Sequence, residues 1–179
     1  KARRCLARVY VDLGRRDLAE VEYREILREV PSYRQARLEF GQLLVQQGRL
    51  VTAEVEADAM AQMPGLSGAA GMLRADVAVA RNDLSAARRG LEAAVAADPH
   101  DDEVLDRLCR LLYERFPQAE AVGPLLECVR RHPDDAAAHH NLGRVYLRLG
   151  DHHAAAAAMR EAARLRREDP EIRGEIADA

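Results

Sequence analysis

The sequence repeats its pattern of residue types every 34 positions. One column with this step is all alanine, at Ala19, Ala53, Ala87, Ala121 and Ala155. A second column holds only small residues, at Ala7, Gly41, Ala75, Cys109 and Gly143. A fixed period between about 20 and 50 residues is typical of repeat architectures, in which each repeat packs on its neighbours. We therefore expect the chain to fold as a row of similar repeats.

Two further columns predict where the chain turns within and after each repeat. The inner column favours residues that tolerate a left-handed backbone, at Gly14, Gly48, Asn82 and Gly150, with Phe116 as the exception. The outer column holds Pro31, Pro99 and Pro133, with Pro64 one position out of register. Because proline lacks an amide hydrogen and clashes with the preceding turn, it ends a helix. Apolar residues at four-residue spacing lie between the turns, so each repeat is predicted to be helix, turn, helix, turn.

The composition supports helices throughout the chain. There is no tryptophan, aromatic residues are 4%, and the strong helix formers Ala, Leu, Arg and Glu outnumber the β-branched residues that favour strands. Many of the hydrophobic residues are alanines, so the helices must approach one another closely over small side chains. We predict an all-α fold.

These columns resemble the tetratricopeptide repeat. The resemblance is clearest in the first repeat, with Leu6, Ala7, Tyr10, Gly14, Ala19, Tyr23, Ile26 and Pro31, and in the fifth, with Asn141, Leu142, Gly143, Tyr146, Gly150, Ala155 and Ala162. It implies a right-handed α-solenoid of five helix-turn-helix repeats, at 1–33, 34–67, 68–101, 102–135 and 136–169. Residues 170–179 would begin a truncated sixth repeat or form a capping helix, as expected for a fragment of a larger bacterial protein.

Two repeats depart from the pattern. In the third, Gly65, Gly68 and Gly71 crowd the start of the first helix and Arg74 occupies an apolar column, so we expect that helix to be frayed or shifted. In the fourth, Gly123 and Pro124 fall inside the second helix. That helix should be kinked, or should begin at Pro124.

Several classes of function are disfavoured by the sequence. A net charge of -3 gives no electrostatic basis for binding nucleic acid. No apolar run approaches the roughly 20 residues that cross a bilayer, so we expect no membrane insertion in this segment. We also expect a cytoplasmic location. Phosphate-binding glycine loops, nucleophile elbows and metalloprotease motifs are missing, and we therefore expect neither enzymatic activity nor a cofactor.

Cysteines and histidines are the remaining candidates for chemistry. Two of the three cysteines lie in small-residue columns, which favours core packing, although a Cys109–Cys128 disulfide is the alternative. Adjacent histidines open both helices of the fifth repeat, at His139, His140, His152 and His153. Neighbours in a helix point to different faces and no acidic cluster accompanies them, so we predict solvated side chains and no metal site.

The resemblance implies a concave face, lined by the first helix of each repeat, on which peptides or partner helices bind. The residues opposite the apolar stripe of those helices are the predicted partner-binding set: Lys1, Arg4, Arg8, Asp12, Gln42, Gln46, Asp76, Asp106, Arg110, Tyr113, Glu114, His140, Arg144 and Arg148. This groove should be basic at both ends and more acidic in the middle. The lysine and asparagine pattern with which some members clamp a terminal carboxylate is replaced by arginine, leucine and glutamine.

These observations leave three hypotheses of function. The leading one is a protein-protein interaction scaffold that binds a partner peptide or helix in its groove. The alternative is the non-catalytic arm of a larger enzyme such as a glycosyltransferase, since the segment 23–48 resembles repeats attached to such enzymes. The third is self-association through an exposed C-terminal edge.

Overall fold

A computed structural model describes residues 2–97 and 101–168. Within these residues the chain forms α-helices joined by short turns, and no strand. The helices are α1 (Ala2–Asp12), α2 (Arg16–Glu29), α3 (Arg34–Gln46), α4 (Leu50–Ala61), α5 (Ser67–Ala80), α6 (Leu84–Ala97), α7 (Asp102–Arg115), α8 (Gln118–Arg131), α9 (Ala136–Leu149) and α10 (His152–Glu168). The prediction of an all-α fold is confirmed. The sixth repeat or capping helix predicted for 170–179 lies outside the described residues.

The chain divides into two compact units, Lys1–Val104 and Leu105–Ala179, which we call the N-terminal and C-terminal units. In the N-terminal unit, α3 packs on α2, α4 and α5, and α5 packs on α6. In the C-terminal unit, α9 packs on both α8 and α10. These helices therefore bury their apolar faces against helices close to them in sequence, as repeat proteins do.

The left-handed turns lie where the sequence predicts them. Gly14, Gly48, Asn82 and Gly150 have φ angles of +71°, +75°, +61° and +77°. At each of the four, the turn separates two consecutive helices. The fourth repeat is built differently, since α7 ends at Arg115 and Pro117, with φ −54°, precedes α8. This explains why Phe116 can occupy the turn column there.

The two columns of small residues form the contacts between helices. All five residues of the alanine column are 0% exposed. Every residue of the second small column is also buried. A Cβ added to Gly41 would lie 2.3 Å from Leu73 Cδ2, and one added to Gly143 would lie 2.7 Å from Met159 Cγ. The small residues are thus required by packing, because a larger side chain has no room.

The frayed start predicted for the first helix of the third repeat is wrong. Helix α5 is continuous from Ser67, and Gly68 and Gly71 are buried within it. A Cβ added to Gly71 would lie 2.4 Å from Ala94 Cβ and 3.1 Å from Gly90 O, so the glycine lets α5 and α6 touch. Burial of this helix outweighs the low helix propensity of glycine. Arg74 points outward and pairs with Asp58 at 2.7 Å, which removes the conflict with the apolar column.

The second helix of the fourth repeat does not begin at Pro124. Helix α8 runs from Gln118 and contains the proline in its interior. Ala121 and Leu125, on either side of it, are both 0% exposed. Their burial anchors the helix before and after the residue that cannot donate a backbone hydrogen bond.

Arginine supplies the cation of the ion pairs in the described residues, and lysine occurs in the sequence only at position 1. One of these pairs, Arg34 with Asp101 at 2.6 Å, links α3 to the residue preceding α7. The Asp101 side chain is only 6% exposed, so this pair is better shielded from solvent than most.

Two cysteines meet inside the C-terminal unit. Cys109 of α7 and Cys128 of α8 are buried thiols that are not joined in a disulfide, and they hydrogen-bond to each other. This hydrogen bond, with burial, raises the pKa of the Cys109 thiol far above its usual range. The third cysteine, Cys5, is exposed. The structure therefore has packed thiols where the sequence left a disulfide as the alternative.

Candidate functional site

The N-terminal unit contains a groove of about 370 Å³ between its first helices. Helix α1 contributes one wall and α3 the other, with one residue from α2. The groove is lined by Arg8, Val11, Asp12, Tyr23, Glu39, Gln42, Leu43 and Gln46. Four of these eight, Arg8, Asp12, Gln42 and Gln46, belong to the set predicted from the period.

Glu39 makes polar contacts with two other side chains at this groove. Its Oε1 lies 3.6 Å from Arg4 Nη1, and its Oε2 accepts a hydrogen bond of 3.3 Å from the Tyr23 hydroxyl. Burial, together with this carboxylate, raises the pKa of Tyr23 well above its usual range, so the hydroxyl stays a donor. Arg4, another predicted residue, also lies over the Tyr33 ring at 5.9 Å from its centroid.

A hydrogen bond joins residues one period apart. Gln42 Nε2 of α3 donates to Asp76 Oδ2 of α5 at 3.3 Å. Both residues were predicted to face a partner, and both are half-buried. The Gln42 amide is thereby oriented, with its carbonyl oxygen left to accept a further hydrogen bond.

Three polar side chains of the groove make no hydrogen bond or ion pair with the described residues. These are Arg8 and Asp12 of α1 and Gln46 of α3, all exposed. Val11, which is half-buried, adds apolar surface to the lining, and Leu43 behind it is 1% exposed. The lining thus offers donors, acceptors and an apolar surface together, which is the composition of a site for a polypeptide.

A second groove of the N-terminal unit, also about 370 Å³, lacks such open groups. It lies among α4, α5 and α6. Four of its charged side chains pair with each other, and Asp83 accepts a hydrogen bond from the Ala86 amide. Arg74 contacts Asp58 at 2.7 Å, and Arg81 Nη2 donates to Glu54 Oε2 at 2.8 Å. Glu54 raises the pKa of the Arg81 guanidinium, as expected of a mutual pair. We therefore take the groove between α1 and α3 as the better candidate.

The C-terminal unit brings together three other predicted residues. The guanidinium carbons of Arg144 and Arg148, one turn apart on α9, lie 3.9 and 4.4 Å from the centroid of the Tyr113 ring of α7. Arg148 Nη1 also donates to the Tyr113 carbonyl oxygen at 3.4 Å. Burial lowers the pKa of His140, one turn before Arg144, and the guanidiniums of Arg166 and Arg144 lower it further.

The other predicted partner-binding residues add little to the two sites described above. Arg110 and Asp106 form an ion pair with each other along α7, and Glu114 is an exposed residue of the same helix. Lys1 lies outside the described residues. The charge pattern predicted along the groove, basic at its ends and acidic in its middle, stays a prediction.

The histidines of the fifth repeat differ from one another. His139 lies with Nε2 3.0 Å from the Pro133 carbonyl oxygen, whereas His152 and His153 are exposed. In the part of the chain that the structure describes, no three His, Cys, Asp or Glu side chains come close enough to hold a metal ion.

Sequence reasoning missed Val11, Tyr23, Glu39 and Leu43 as lining residues. The sequence showed Tyr23 only as a residue of the repeat pattern; its side chain is 1% exposed, and its hydroxyl donates to Glu39. Glu39 and Leu43 lie three residues before Gln42 and Gln46, so helical spacing along α3 could have found them.

Comparison with known proteins decides the family. The family model described as "Tetratricopeptide repeat" matches residues 6–70 and 114–170, more than half of the chain. The chain belongs to the tetratricopeptide repeat family. No match was found among curated proteins. The family whose model matches is not an enzyme family.

Solved structures agree with this tetratricopeptide fold. TTC0263, a thermophilic protein of the family from Thermus thermophilus, is 18% identical, with 99% of this chain and 96% of that chain covered and a TM-score of 0.58. MamA from Desulfovibrio magneticus RS-1 is 20% identical, with coverages of 94% and 96% and a TM-score of 0.56. YrrB, described as having an unusual peptide-binding site, is 18% identical, with coverages of 99% and 91% and a TM-score of 0.51.

Within the described residues, no helix has the length and apolar character that spanning a membrane requires.

Proposed function

We propose that this tetratricopeptide chain is a protein-protein interaction scaffold that binds a partner peptide in the groove between α1 and α3. The observation that carries the proposal is the set of polar side chains without a partner among the described residues, Arg8, Asp12 and Gln46, in a groove that the half-buried apolar Val11 also lines. YrrB, a similar fold, is described as peptide-binding, which supports the class of ligand.

The groove suits a segment of polypeptide in its chemistry. Glutamine side chains can donate to and accept from a peptide backbone, and Gln42 and Gln46 lie one turn apart on α3. Arg8 and Asp12 lie one turn apart on α1 and offer opposite charges. The fixed carboxylate of Glu39, held by Arg4 and Tyr23, orders this wall before a ligand arrives, which lowers the entropic cost of binding.

The test begins with a displayed library of random peptides, selected on the full chain. Peptides that are enriched are then measured by fluorescence anisotropy against a double variant, Arg8→Ala with Gln46→Ala. Because neither side chain has a partner within the described residues, the variant should fold as the parent does. Loss of two hydrogen-bonding groups should weaken binding about tenfold or more.

The matched control is Arg16→Ala with Gln35→Ala, which removes the same residue types from positions of α2 and α3 that do not line the groove. It should bind within about twofold of the parent, because side chains outside an interface contribute little. If no peptide is enriched, or if the groove variant binds as well as the control, the proposal is wrong.

A further inference from the structure

Tyr113 holds two arginines in fixed positions in the C-terminal unit. Tyr113 is 8% exposed, so packing restricts its ring, and the guanidinium carbons of Arg144 and Arg148 lie 3.9 and 4.4 Å from the ring centroid. A guanidinium has five N–H donors, and a cation–π contact with an aromatic face leaves most of them available for hydrogen bonds. Both arginines therefore keep donors for a ligand while losing much of their freedom.

The charges of these two arginines are not balanced by a neighbour. Neither Arg144 nor Arg148 has a carboxylate within ion-pair distance among the described residues. Other arginines of the same unit do, for example Arg110 with Asp106 and Arg130 with Glu127. Two like charges one turn apart on a helix repel each other. A bound anion would relieve this repulsion, so the site is complementary to negative charge.

The spacing of the two arginines favours a particular arrangement of carboxylates. Residues four apart on a helix are separated by about 6 Å along its axis, and the two guanidinium carbons, both lying against one ring, are at most about 8 Å apart. In an extended chain, residues two apart lie about 6.6 Å from each other and point to the same side. Adjacent residues point to opposite sides, so only alternate acidic residues can reach both guanidiniums at once.

We propose that Tyr113, Arg144 and Arg148 form a recognition site for an extended acidic peptide segment, with Asp or Glu at alternate positions. Each carboxylate accepts hydrogen bonds from one guanidinium, and Tyr113 is a positioning residue that holds both. This inference rests on the proposed scaffold function and adds the chemistry of a partner. It concerns a different set of residues from the groove between α1 and α3.

The test compares two labelled peptides of identical composition by fluorescence anisotropy with the full chain. One carries two Glu residues separated by a Ser in a Ser/Thr background, and the other carries the same two Glu residues side by side. We expect the alternating peptide to bind about tenfold more tightly, since one charge-assisted contact is lost when the residues are adjacent. Its affinity should fall as salt is added, because the contacts are between exposed charges.

Substitutions test whether the difference in peptide affinity depends on Tyr113, Arg144 and Arg148. Arg144→Gln with Arg148→Gln should weaken binding of the alternating peptide at least about tenfold. Arg110→Gln with Arg130→Gln removes the same net charge from paired positions and should change it by less than about twofold. Tyr113→Phe keeps the ring and should bind as the parent, whereas Tyr113→Leu should weaken binding.

The outcomes separate this inference from the proposed function. Equal affinity for the two peptides, or equal loss in the two double variants, overturns the acidic-peptide site. If library peptides still lose affinity in the variant of Arg8 and Gln46, the proposed scaffold function is supported even when the acidic-peptide site is wrong. Circular dichroism of every variant checks that the helices are retained.

Discussion

Gly71 and Gly90 face each other across the contact of α5 and α6, and we predict that alanine has opposite effects at the two positions. At Gly71, a new Cβ would lie 2.4 Å from Ala94 Cβ and 3.1 Å from Gly90 O. Carbon atoms normally approach no closer than about 3.5 Å, so the helices must separate locally by about 1 Å. Neither a backbone carbonyl nor the only side-chain carbon of an alanine can rotate away.

The expected change in the free energy of unfolding is the difference between two opposing effects. Overpacking of this kind costs about 1–3 kcal/mol, and the absence of any flexible group places Gly71→Ala near the upper end. Alanine gains about 1 kcal/mol over glycine in a helix interior, so the variant should be destabilised by about 1–2 kcal/mol. At Gly90 the new Cβ would lie 3.7 Å from Gly71 O, an ordinary contact. Gly90→Ala should therefore be stabilised by up to about 1 kcal/mol.

Urea denaturation followed by circular dichroism at 222 nm measures both changes, and thermal melts give a second reading. The free energy of unfolding should differ by about 1–3 kcal/mol between the variants, or about 2–12 °C in Tm for a chain of this size. If Gly71→Ala is as stable as the parent or more so, the close contact of α5 and α6 is wrong. If both variants are destabilised, the space beside Gly90 has been overestimated.

Three further predictions concern titrating and reactive groups. A thiol reagent should label Cys5 alone in the folded chain and all three cysteines in denaturant, so Cys5→Ser should abolish native labelling. Arg144→Gln should raise the pKa of His140 toward its ordinary value, as NMR titration of the imidazole would reveal; an unchanged pKa would contradict the proximity of the two side chains. Hydrogen bonds from two arginines lower the pKa of the Glu127 carboxyl to about 2, compared with 4.5 for the free group. Because its folded pKa is depressed, its stabilising effect is present above pH 4.5 and lost as the pH falls through about 2; a carboxyl titration midpoint near 4.5 would refute this.

The period of the sequence was sufficient to predict the helical fold and its turns. Positive φ angles at Gly14, Gly48 and Asn82 and full burial of the alanine column follow from residue types alone. The sequence alone does not distinguish a glycine that destabilises its helix from one that makes room for a neighbouring helix. That distinction at Gly71 depends on Ala94, which lies in a different helix, and so on tertiary packing.

The candidate site was only partly predictable for a similar reason. Helical spacing identifies which side of α1 and α3 carries Arg8 and Gln46, because that depends on one helix at a time. It does not reveal that Tyr23, from the second helix of the first repeat, reaches Glu39 of the next repeat. Nor does it reveal that Arg144 stacks on Tyr113, since that contact joins helices of different repeats.

The use of arginine in place of lysine has a consequence for how this protein responds to alkali and acid. A guanidinium keeps its proton up to a pH above about 12, whereas an amine loses it near about 10. Raising the pH through the range in which lysines discharge would leave ion pairs built on arginine intact, whereas neutralising the carboxylates would release them. Acid would therefore disrupt these ion pairs, whereas alkali in the range that discharges lysine would not.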